Sequence, residues 1–157
     1  VPYFIASHPG SGIDEMIELA LFLKARGYRP RQVQDFIPAP MDIATCMYHA
    51  GIDPETMEPV RVAKRPGDRA LQRALLQFFL PENYYDVRKA LERAGRRDLI
   101  GDGPDCLIPA RPSLQAREAK RAREDAAREA ASRRGQDAER RGGEKGYRWA
   151  ARRGRRR

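Results

Sequence analysis

The sequence predicts an α/β fold: one βαβ unit, then a small mostly helical region, then a disordered basic tail. Three observations carry this reading. An apolar run of strand character, a segment of helical period and a second short strand follow one another within the first 40 residues. Two amphipathic helical segments lie between residues 68 and 94. Charge then sets the tail apart: residues 1–110 hold 14 Lys/Arg against 15 Asp/Glu, whereas residues 111–157 hold 17 against 7, so the net +9 of the chain belongs to its end.

Pro2 to Ser7 reads as a strand, ended by the turn cluster His8-Pro9-Gly10-Ser11-Gly12. Asp14 or Ser11 is placed to cap the helix that follows, and Asp14 and Glu15 suit its positive end. Ile13, Met16, Ile17, Ala20, Leu21 and Leu23 or Lys24 recur at helical spacing, and Gly27 closes the helix. Gln32 to Ile37 reads as the second strand, stopped by Pro38-Ala39-Pro40. Strand, helix and strand joined by short turns make a βαβ unit with parallel strands.

After Pro40, Ile43 to His49 predicts a short helix stopped by Gly51, and Pro59 to Val62 a short extended run. Asp68 to Phe79 has Ala70, Leu71, Ala74, Leu75 and Phe78 on one face of a helix. Pro81 suits the first turn of another, running through Tyr85, Val87 and Leu91 to Ala94 and ended by Gly95. A helical hairpin packed on the parallel unit is the expected arrangement. Leu107-Ile108-Pro109 is expected to end the compact part. Leu114 is the last aliphatic side chain larger than Ala, so residues 113–134 are expected to form only a transient helix and the remainder to be disordered.

Cys46 and Cys106 lie sixty positions apart, too few for a disulfide framework and without local partners for zinc. Reduced, partly buried cysteines are expected. No stretch approaches the ~18 consecutive apolar residues of a membrane span. With no charged-then-apolar leader pattern visible, the expected location is cytoplasmic. The strand pattern opens at Val1, and only two strands are visible where a parallel sheet needs several, so the chain is expected to be part of something longer.

Ser7-His8-Pro9-Gly10 falls where a parallel strand gives way to a helix, the edge at which α/β sheets bind ligands. An ordinary turn has the same composition, and a single His is weak evidence for acid–base work. Phe36 lies at the equivalent edge of the second strand, as a ring for a flat ligand or as a core aromatic. Asp35, inside an apolar strand, needs a polar site or a partner such as Arg29 or Arg31.

The strings Val1-Pro2-Tyr3-Phe4-Ile5-Ala6-Ser7-His8-Pro9-Gly10, Gln32-Val33-Gln34-Asp35-Phe36-Ile37-Pro38, Ala44-Thr45-Cys46-Met47-Tyr48, Gly51-Ile52-Asp53-Pro54 and Gln72-Arg73-Ala74-Leu75-Leu76-Gln77 stand together here. As a set they resemble the YgiQ-type radical S-adenosylmethionine proteins over residues 1–109. The resemblance implies that residues 1–45 are the last βαβ unit of a partial (β/α) barrel, that 46–110 are the family's C-terminal domain of unknown function, and that 111–157 lie outside it. It implies S-adenosylmethionine and a [4Fe–4S] cluster in the intact protein, the cluster held by three cysteines of a CxxxCxxC loop upstream of this segment. Two lone cysteines do not replace that loop. This chain alone is therefore expected to hold neither group and to be inactive. The resemblance further implies that Ile5, Ser7, Phe36 and Ile37 line the adenine side of the S-adenosylmethionine site. The expected partners are the N-terminal part of the same protein and a substrate the residues do not name.

A different class of function competes with this one: a noncatalytic binding module whose tail, residues 111–157, binds nucleic acid weakly through its charge, with Tyr147 and Trp149 among arginines for stacking. Interleaved acidic residues up to Glu144 favour a plain solvated extension instead.

Overall fold

A computed structural model describes the backbone of residues 3–153 and the side chains of residues 3–134. Val1 and Pro2 of the expected first strand, the side chains of Tyr147 and Trp149, and residues 154–157 lie outside that range. The fold is mixed α/β and mostly helical. Its elements are β1 (Ile5–Ala6), α1 (Ile13–Ala25), β2 (Gln34–Asp35), α2 (Ile43–Ala50), α3 (Pro66–Leu76), α4 (Tyr84–Arg93) and α5 (Leu114–Arg153). Single 3-10 turns precede and follow α4 at Pro81–Asn83 and Arg97–Leu99.

β1 and β2 pair in parallel, with Ile5 opposite Gln34 and Ala6 opposite Asp35. The βαβ unit is therefore present, but its strands are two residues long rather than six. Among the described residues each strand has one neighbour, so the ladder ends where that pair diverges, and Pro38 cannot extend it. A barrel is not seen in two strands. Alternation sends Ala6 and Asp35 to the face covered by helices, while Ile5 and Gln34 take the other face and remain exposed.

The core is built by α3, which packs against α1, α4 and β1. Ile17 and Leu23 of α1, Leu75 and Leu76 of α3, and Val87 and Leu91 of α4 are at most 1% exposed. Burial of each contributes about 1.5–3 kcal/mol. The hairpin of α3 and α4 thus closes one side of the βαβ unit, as the sequence predicts. One core consequently runs across the division at residue 45 that the family resemblance suggests: Ala6, Met16 and Ile17 share it with residues 71–108. It also extends past Pro109, since Ala116 is 1% exposed, and the first compact unit runs to Arg117.

Several local expectations change. Helix α1 begins one residue after Ser11 would cap it, so Gly12 is the N-cap and the Glu15 carboxylate accepts from the Gly12 N–H at 2.8 Å. That contact holds the Glu15 carboxyl below its ordinary range, through its own and the Gly12 backbone N–H groups. Helix α3 starts earlier than expected because Pro66 takes its first position. Residues 59–62 form no strand, only an isolated bridge between Ile52 and Pro59. Cys46 is exposed rather than partly buried, because α2 turns only Ala44 fully inward, while Cys106 is half-buried; both are free.

Residues 114–153 form one helix, α5, where the sequence predicts a transient helix to 134 and disorder beyond. Ala, Arg, Glu and Lys favour helix intrinsically, and this composition carries α5 without an apolar stripe. The second compact unit, Glu118–Arg157, falls almost wholly within it. No helix among the described residues is long and apolar enough to cross a membrane.

Candidate functional site at the sheet edge

Residues 7 to 12 leave the C-terminal end of β1 and turn into α1. Ser7 enters the turn in the left-handed region, at φ +63°, a conformation uncommon for a residue with a side chain. Gln72 of α3 holds it there. Its Oε1 accepts from the Ser7 N–H at 2.7 Å, and its Nε2 donates to the Ser11 carbonyl at 2.9 Å. Gln72 is 2% exposed, so both bonds are shielded from water. The Gly10 N–H donates to the Arg61 carbonyl at 2.8 Å, which tethers the outer part of the turn.

Aromatic side chains line the same edge. His8 and Phe36 meet edge to face with centroids 5.2 Å apart, Phe36 and Tyr48 are 5.8 Å apart, and Tyr48 meets His49 at 5.4 Å. Lys64 lies 5.8 Å from the Tyr48 ring and donates to the His49 carbonyl at 3.2 Å. Both histidines of the chain therefore belong to one cluster. His8 Nδ1 is 2.8 Å from the Pro9 carbonyl oxygen. In the tautomer that makes this bond Nδ1 carries the proton, and Nε2 is left as an acceptor.

Beneath the edge, Asp35 pairs with Arg73 at 3.0 Å and Arg69 at 3.6 Å. These are residues of α3, not the neighbouring Arg29 and Arg31 that the sequence offers, because Asp35 points to the covered face. Arg69 also donates to the Phe36 carbonyl at 3.0 Å. Ser7 Oγ, Asp35 Oδ1 and Arg69 Nε are buried without hydrogen-bond partners among the described residues, an arrangement that costs stability unless another polar group meets them.

Of the four expected lining residues, Ile5 lies in β1, Ser7 directly after it, and Phe36 and Ile37 directly after β2. Ile37 is 75% exposed and Ile5 is 41% exposed, so both offer apolar surface. Phe36 and Ser7, at 6% and 1%, lie beneath. Sequence reasoning missed Gln72, Arg69, Arg73, Tyr48, His49 and Lys64 as members of the edge. For Gln72 a signal existed: it sits three and four residues before Leu75 and Leu76, on the inward side of an amphipathic helix.

A cleft of about 290 Å³ beside the N-terminus of α1 is lined by Gly12, Asp14, Arg61, Asp68, Gln72 and Arg93 among others. Its charges are matched internally: Arg61 lies 3.8 Å from Asp14, and Arg93 pairs with Asp68. Among the described residues no three His, Cys, Asp or Glu side chains gather where they could hold a metal ion. The chain's two cysteines, Cys46 and Cys106, sixty positions apart, do not fit an iron–sulfur cluster.

The geometry defines an α/β protein segment with a ligand-type edge at the ends of parallel strands. A family model described as "Domain of unknown function (DUF3362)" matches residues 31–155, and the chain belongs to that family. Curated relatives are UPF0313 proteins, the YgiQ family, as the sequence resemblance indicates. One from Clostridium botulinum is 54% identical over 109 residues, which are 69% of this chain and 17% of that protein. One from Clostridium perfringens is 50% identical over 108 residues, 69% of this chain and 16% of the relative. One from Methanocella arvoryzae is 47% identical over 122 residues, 77% and 20% respectively. The chain thus spans about a sixth to a fifth of the relatives it matches. No solved structure matches it.

Proposed function

We propose that this chain is the C-terminal portion of a radical S-adenosylmethionine iron–sulfur protein and that its sheet edge forms one wall of the adenosine site. In this reading residues 1–45 are the last βαβ unit of a partial barrel, and α3 and α4 are the family domain that braces it. The observation that carries the proposal is the uncovered edge of the β1–β2 pair, where Ile5 and Ile37 are exposed beside a turn fixed by Gln72.

The residues have separable roles. Ile5 and Ile37 contact the flat face of the base and exclude water from it. Phe36, backed by His8 and Tyr48, supports Ile37 from below. Ser7, buried beneath the wall, shapes its floor, and Gln72 fixes the Ser7 backbone. When bound, S-adenosylmethionine supplies radical chemistry that this part of the protein only shapes. The cluster ligands belong to the rest of the protein, as do the contacts that choose a substrate.

Anaerobic reconstitution of the full-length protein with iron and sulfide, followed by assay for 5′-deoxyadenosine, tests the reading. Formation of 5′-deoxyadenosine from S-adenosylmethionine is the expected result. A reconstituted protein that neither binds a cluster nor cleaves the cofactor contradicts it.

A further inference from the structure

The charge of the last third of the chain is ordered by the helix that carries it. At about 100° per residue, Arg117, Lys120, Arg121, Arg123, Arg128 and Arg134 fall within one half of α5. Glu118, Asp125 and Glu129 fall within a sector of about 40° on the other side. Two residues cross over, and each is paired: Glu124 with Lys120 at 3.7 Å, and Arg133 with Glu129 at 2.6 Å. All of these side chains are exposed. Five more arginines end the sequence, at 152, 153 and 155–157.

We propose that the basic face of α5 is a docking surface for duplex DNA, held by its phosphates without regard to base sequence. A polyanion is the partner that a one-sided row of cations fits, because each neutralised phosphate releases condensed counterions. Glu118, Asp125 and Glu129 then face away from the duplex, and Glu124, which lies within the basic face, is paired with Lys120. Anionic membranes fit less well, since a helix lying in a bilayer surface needs an apolar face, and α5 offers Leu114 and then only Ala through residue 134. Single strands are usually held by stacking on aromatic rings; the sequence of α5 has two, Tyr147 and Trp149, near its end, whereas residues 114–134, which carry the ordered basic face, contain none. Between duplexes, a helix about 10–12 Å across matches the ~12 Å major groove of B-form DNA, whereas the A-form groove of RNA is too narrow.

The test is fluorescence anisotropy of the 157-residue chain with a labelled mixed-sequence 24-bp DNA duplex at 50 and 200 mM KCl. Parallel arms use the same duplex as RNA, the single strand, and vesicles of phosphatidylserine and phosphatidylcholine. The expected result is binding at 50 mM that weakens on the order of a thousand-fold at 200 mM, the response for about six neutralised phosphates. The triple variant R117Q/R123Q/R128Q loses at least tenfold in affinity, E118Q/D125N loses none, and R133Q stays within twofold. Failure to bind duplex DNA at 50 mM, tighter binding to RNA, single strands or vesicles, or equal losses from R133Q and R128Q would each overturn the proposal.

Discussion

The Gln72 side chain spans the turn between β1 and α1, accepting from the Ser7 N–H at 2.7 Å and donating to the Ser11 carbonyl at 2.9 Å. One amide thereby satisfies two backbone groups four residues apart and fixes Ser7 at positive φ. A hydrocarbon there would orphan both groups.

Gln72→Met keeps the volume and removes the bonds. It is expected to destabilise the fold by about 2–3 kcal/mol, the cost of leaving buried polar groups unpaired. Urea unfolding of the 157-residue chain measures this, and an unchanged midpoint contradicts the role.

Asp35 and Arg73 join the sheet edge to α3 across 3.0 Å. Arg73 is about half exposed, which limits the pair to about 1 kcal/mol. A double-mutant cycle with Asp35→Asn and Arg73→Gln should return a coupling of that size. Additive losses would show that the two side chains act separately.

Glu15 gives the fold a defined response to acid. Its carboxylate is stabilised in the folded state by backbone N–H groups, so its folded pKa lies below the unfolded one. The contribution is present above the ordinary carboxylate range and is lost as pH falls through the folded pKa. Glu15→Gln should therefore cost about 0.3–1 kcal/mol near neutral pH, with the difference from the parent shrinking on acidification. A difference that stays constant from pH 7 down to pH 3 contradicts this assignment.

Helix α5 rests on propensity rather than packing. A peptide of residues 113–134 should show helical circular dichroism near 0 °C that diminishes on warming. A coil spectrum at all temperatures would mean that Ala and Arg content does not suffice.

Periodicity made the helices legible. The positions of Ile17, Leu23, Leu75, Val87 and Leu91 predict the buried faces that the core contains. Register and reach were not legible. Asp35 offered Arg29 and Arg31 as partners by proximity in the chain, but strand alternation turns it toward Arg69 and Arg73, more than thirty residues away. The site divided in the same way: the turn at Ser7 and the ring of Phe36 were readable from strand-end position. The contacts of Tyr48, Lys64 and Gln72 with that edge depend on how α2, the segment after it and α3 fold back. Charge content marked the tail as distinct, and the helix assigned to residues 114–153 follows the intrinsic propensity of its Ala, Arg, Glu and Lys.

The most direct measurement of the central proposal is isothermal titration of S-adenosylmethionine into the full-length protein, comparing the parent with Ile5→Asp and Ile37→Asp. Both side chains are already exposed in this segment, so the substitutions should spare folding, which circular dichroism verifies. The account predicts at least a tenfold loss of affinity in each variant. Affinity equal to the parent's in both would remove the sheet edge from the adenosine site.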